Sequence, residues 1–192
     1  MCVIVAKYFP GIGWAGAKNR DRKYIPELDF IETEENGVDR MMMHDLITGY
    51  KEGINSQGVS ILNTSLDVLE DESDVEEGKV KSSPDGAIIA TALLHKTAIE
   101  ALRYVIQKKL VGCTIVFDRE NMFLVEASDQ DGSKPYQYKA KRIPKNETVA
   151  RTNHGIWLPW ASFQRKEDDP EQYGFVLPPA LVIVRVTDGL DQ

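Results

Sequence analysis

The chain has 192 residues, 42% hydrophobic and 28% charged, with 23 basic against 30 acidic residues and a net charge of −7. This composition excludes a disordered or collagen-like chain. The acidic excess argues against a general phosphate-backbone binder, which needs surplus Lys and Arg to release counterions.

No apolar run approaches the ~20 residues that span a bilayer, and Lys7 and Pro10 interrupt the first one too early for a signal peptide. Two cysteines, Cys2 and Cys113, cannot build a disulfide framework and lack metal-ligand spacing. The expectation is one domain over 1–192, in the cytoplasm, with no cofactor or metal. Neither nucleic acid nor membrane is expected as a partner, and self-association is left open.

In chain order, residues 2–9 (CVIVAKYF) form an apolar, β-branched run ended by Pro10-Gly11. Residues 14–19 follow, so the pair predicts a hairpin across a Gly-rich turn. Residues 22–40 are charged and poorly periodic, which predicts a surface loop. Residues 41–48 and 50–55 read as strands around Thr48-Gly49, and 59–66 as a strand entering the core. The acidic run in 67–86 predicts an exposed excursion. Residues 87–109 predict one amphipathic helix, with Ile89, Ala92, Leu93, Ala98, Ile99, Leu102, Val105 and Ile106 recurring along one face. Gly112 ends it. Strands at 113–117, 122–127, 136–143 and 148–152 follow, and the apolar run 180–186 reads as a strand or an oligomer contact. Strands, a helix and more strands predict an α+β fold with a mainly antiparallel sheet.

Cys2 is the first residue with chemical promise. Removal of Met1 would leave a thiol and a free α-amine on one residue. With a pKa of about 7.7–8.0, that amine can act as base for its own thiol. A small buried hydrophobe in the first strand also accounts for a cysteine there. Lys18-Asn19-Arg20-Asp21 ends the second strand, where a hairpin returns Asp21 toward Cys2. A carboxylate there can hold the α-ammonium, and a cation at Lys18 or Arg20 favours the thiolate. An exposed charged turn is the plainer reading. Asn63 and Asn153 each lie at a strand end, where an amide can donate into an oxyanion hole or simply cap a turn. His44, His95 and His154 are isolated, with His95 assigned to the helix. Gly11-Ile12-Gly13 lacks the rest of a dinucleotide fingerprint. Trp157 and Trp160 flank Pro159 and would serve an acyl pocket or a core equally well.

Taken together, Cys2, Lys18-Asn19-Arg20-Asp21, the 55–63 strand and Thr152-Asn153-His154 resemble the N-terminal nucleophile (Ntn) hydrolases. The nearest likeness is to choloylglycine hydrolase, penicillin V acylase and acyl-CoA:6-aminopenicillanic acid acyltransferase. That resemblance implies an αββα sandwich of mainly antiparallel sheets, here in reduced form. It implies Cys2 as nucleophile with its own amine as base, Asp21 orienting them, Asn153 as main oxyanion donor and Asn63 as a second. Lys18 stands where the family has an Arg, keeping charge but losing the bidentate fork. Arg165 is the first choice for the family's late Arg, and Arg185 the second. The implied activity is cleavage of a linear amide C–N bond through a thioester, or acyl transfer or peptidase action by the same route. The substrate would be a small N-acyl amide or short peptide. The alternative is a non-catalytic structural or binding subunit that keeps the fold. A glutamine amidotransferase would also need Cys2, but its glutamine-binding Arg and Asn-Gly-Asp pattern are missing. A retained Met1 would block the amine.

Overall fold

The computed structural model describes residues 2–20, 26–64, 84–128, 136–153 and 156–158, and the backbone of 181–185. The N-terminal apolar run forms β1 (Val3–Phe9) and pairs along its whole length with β2 (Gly13–Asn19). The turn between them is closed by Ile12 N donating to Phe9 O. β10 (Thr148–Arg151) adds to β1 and β11 (Leu181–Arg185) to β2, giving a four-stranded sheet ordered β10-β1-β2-β11.

A second sheet has seven strands in sequence order: β3 (Leu28–Glu35), β4 (Val38–Asp45), β5 (Lys51–Asn55), β6 (Ser60–Thr64), β7 (Gly112–Phe117), β8 (Met122–Ser128) and β9 (Gln137–Ile143). Every pairing in both sheets is antiparallel. With two helices beside them, α1 (Pro84–Ala92) and α2 (Ala98–Gln107), the fold is α+β.

Strand alternation sets the layers, because successive side chains point to opposite faces. Ile4, Ala6 and Trp14 of the small sheet meet Leu62, Ile115, Phe117 and Leu124 of the large one. The neighbouring Ile61 and Val116 point the other way, onto Ile89, Leu93, Ala101 and Val105 of the helical layer. The central strands are thus covered on both faces, and β6 and β7 have no exposed residue. Gly16 marks the closest approach of the sheets. A Cβ there would sit 2.9 Å from Leu62 Cδ1 and 3.0 Å from the Phe117 ring.

Two sequence expectations are corrected. Residues 22–40 are not all loop, since β3 occupies Leu28–Glu35 and pairs with β4 in eight consecutive positions. It escaped notice because both of its faces are largely exposed and it lacks an apolar alternation. The single helix over 87–109 is two. α1 begins earlier, at Pro84, a residue suited to a first helical turn. α2 restarts at a capping box in which Thr97 Oγ1 accepts from Glu100 N while the Glu100 carboxylate accepts from Thr97 N. His95 therefore lies between the helices, its ring 5.3 Å from that of Tyr104. The edge strands of the large sheet carry opposite charge: β3 holds Asp29, Glu32, Glu34 and Glu35, and β9 holds Lys139, Lys141 and Arg142. Charged edges resist pairing with a stray strand. Among the described residues no helix is long and apolar enough to cross a membrane.

Candidate active site

Cys2 immediately precedes β1, which lies between β2 and β10. The antiparallel register with β10 pairs Ile4 with Arg151, so continuing it by two residues brings Asn153 alongside Cys2. The register with β2 pairs Val3 with Asn19, and one further step brings up Arg20. Cys2 thus has a candidate partner on each side for a purely topological reason. The contact is realised on the β10 side, where the Cys2 backbone nitrogen donates to Asn153 Oδ1 at 2.6 Å, across 151 residues of chain. Cys2 and Asn153 are both buried, at 5% and 8% exposure. Thr64 Oγ1, at the end of β6, donates to Thr152 O at 3.1 Å and ties the same turn to the large sheet.

Lys18 and Arg20 turn inward from the end of β2 into a buried ionic cluster. Lys18 Nζ donates to Glu52 Oε2 at 2.9 Å and also to the Asn63 carbonyl. Arg20 Nη2 donates to Asp45 Oδ2 at 3.3 Å, and Arg20 Nη1 lies 4.0 Å from Glu52 Oε1. All four side chains are at most 1% exposed. The Tyr50 ring lies 4.8 Å from both cations, close enough for cation–π attraction to each. Tyr50 Oη is 3.1 Å from both Asn63 O and Asn63 Oδ1 and shares its one proton between them. Two cations against two carboxylates make the cluster formally neutral, which is how such charge survives out of water. Burial pushes the Lys18 ammonium below its ordinary pKa. Glu52 pulls it back up, Arg20 lowers it further, and Cys2 also raises it.

Of the residues singled out from sequence, Cys2 and Asn153 meet directly, and Lys18 and Asn63 meet each other. Asn63 Nδ2 donates to Val111 O at 3.0 Å and to Thr114 Oγ1 at 2.8 Å, so both amide hydrogens are engaged within the fold. Asp21, His154, Trp160 and Arg165 lie outside the described residues, as does the side chain of Arg185. Trp157 packs against the core beside Leu158, with the Arg151 guanidinium 5.4 Å from its ring. Cys113 is fully buried in the core, and its thiol is pushed up in pKa by burial first and by Glu126 second.

Sequence reading missed Asp45, Tyr50 and Glu52. The available signal was a carboxylate in the short strand KEGIN, whose burial depends on a second sheet that no local pattern announces. Among the described residues no group of three or more His, Cys, Asp or Glu side chains is placed to hold a metal ion. The sequence matches no family model and no curated protein.

Proposed function

We propose that the chain is a cysteine N-terminal nucleophile amidohydrolase acting on a linear amide, with Cys2 as the first residue of the working protein. The observation that carries this reading is the 2.6 Å contact between the Cys2 nitrogen and Asn153 Oδ1. Once Met1 is gone, that nitrogen is an α-amine held by a fixed acceptor beside its own thiol. The stacked antiparallel sheets with helices on one outer face support the αββα architecture the reading requires.

In this mechanism the α-amine takes the proton of the Cys2 thiol, Sγ attacks the amide carbonyl carbon and the carbonyl oxygen becomes an oxyanion. Asn153 Oδ1 accepts from the Cys2 nitrogen, and the Asn153 amide is assigned as the oxyanion donor. The C–N bond breaks as the α-ammonium protonates the leaving amine, and an acyl thioester remains on Cys2. The neutral amine then takes a proton from water, which attacks the thioester and releases the acid. An amine in place of that water makes the same site an acyltransferase. Lys18 and Asn63 lie behind the site in the ionic cluster and stiffen the sheet ends that carry it. Asp21 is assigned to orient the amine and Arg165 to meet the substrate.

The test is to incubate protein lacking Met1 with a panel of N-acyl amides. Released amine is followed, and the intact mass is read after acid quench. Turnover together with an acyl adduct on Cys2 supports the reading. A processed protein that neither turns over nor acylates at Cys2 overturns it.

A further inference from the structure

Strand β8 (MFLVEAS) has one charged residue, Glu126, and it is completely buried. A carboxylate in that position costs several kcal/mol unless its oxygens are satisfied. Glu126 Oε2 accepts from three consecutive backbone N–H groups: Ile156 at 3.0 Å, Trp157 at 2.6 Å and Leu158 at 3.2 Å. Successive N–H dipoles converging on one point form an anion nest, and here the anion belongs to the protein itself. Glu126 Oε1 lies 3.4 Å from Arg151 Nε.

These partners bracket Asn153. Arg151 closes β10 two residues before it, and residues 156–158 follow three to five residues after. One carboxylate therefore holds the chain on both sides of Asn153.

We infer that Glu126 is a positioning residue that sets Asn153 against the nitrogen of Cys2. Its effect on turnover rests on the amidohydrolase reading above, whereas its hold on Asn153 can be measured without any substrate. A displacement of about 1 Å in a catalytic contact costs on the order of 100-fold in rate. The purely structural alternative is a core carboxylate whose loss lowers stability and nothing else.

Glu126→Gln keeps the size and one accepting oxygen but removes the charge. Its NH2 group must then face either the three N–H donors or Arg151. The expected result is a folded protein whose kcat falls by about 100-fold while KM changes little. In an Asn153→Ala background the same substitution should cost almost nothing more, because the group it positions is gone. In NMR spectra the Asn153 side-chain amide should broaden or shift in Glu126→Gln while that of Asn63 stays put.

Equal losses in the two backgrounds, or a lower melting temperature with unchanged kcat and an unmoved Asn153 amide, would overturn the inference. Should Glu126→Gln not fold, Arg151→Met releases the other side of the clamp and is read by the same three measurements. If the wild-type protein shows no amidase activity, the functional reading fails, and the Asn153 resonance still decides the positioning.

Discussion

Cys2 and Cys113 carry the same thiol in different surroundings, and single residues are where that difference can be measured. Burial and the neighbouring Glu126 carboxylate hold Cys113 in the protonated form. A native Cys2→Ala protein should therefore show no fast-reacting thiol near neutral pH and should gain one on unfolding in guanidinium. Rapid native labelling of that variant would contradict the burial account. The same variant should lose amidase activity with its melting temperature nearly unchanged. Asn153→Ala should lower kcat by about 100- to 1000-fold, the usual effect of one oxyanion donor, with KM much less affected. Matching losses in binding and turnover would instead make Asn153 a structural cap.

Lys18 and Glu52 give a pH-dependent test. The folded-state pKa of Lys18 lies below the ordinary 10.5, so between those values the unfolded chain binds more protons and stability rises with pH. Glu52 raises the folded value, hence Glu52→Gln depresses it further. Breaking a buried pair in this way should cost roughly 3–5 kcal/mol at pH 7. The deficit should shrink as the pH climbs toward 10.5, as read by urea unfolding at pH 7 and pH 10. A deficit that does not change with pH would show that Lys18 keeps its proton in both states.

At the scale of elements, what could be read in the sequence followed burial. The central strands β6, β7 and β8 are covered on both faces, and the apolar runs of β7 and β8 mark them in the sequence. β3 is held by its eight pairings with β4 rather than by a buried face, and those pairings leave no local pattern. The apolar periodicity over 87–109 located the helical region but passed over the break, because Leu93 and Ala98 are buried against the same core on either side of it. The Thr97-x-x-Glu100 capping box was the signal for the restart. Thr97→Ala should cost about 1 kcal/mol of stability without changing turnover, measured by chemical denaturation beside kinetics. A comparable fall in kcat would show that α2 is coupled to Cys2 more tightly than the layers suggest.

For the molecule as a whole, two stacked sheets explain both what was visible and what was hidden. A charged residue in a strand normally marks the wet face, so Glu52 and Glu126 looked unexceptional. Stacking leaves their strands with no wet face, and both carboxylates end at 0% exposure. Cys2, Lys18 and Asn153 stand out in the sequence by side-chain chemistry at strand ends, whereas their buried partners depend on which strands face each other. The narrow spacing at Gly16 gives a prediction at this scale. Gly16→Val must push Leu62 and Phe117 away and should cost about 1–3 kcal/mol, as read by chemical denaturation. Wild-type stability in that variant would mean that the sheets can separate freely.

The pairing of β1 with β10 also orders events in time. A ribosome adds Asn153 151 residues after Cys2. At ~5–20 residues per second, the thiol waits roughly 8–30 s for its partner. An interrupted nascent chain therefore carries the cysteine without the side chain that accepts from its backbone nitrogen. The contact between Cys2 and Asn153 forms only when translation has passed β10, so it reports on the progress of synthesis as well as on folding.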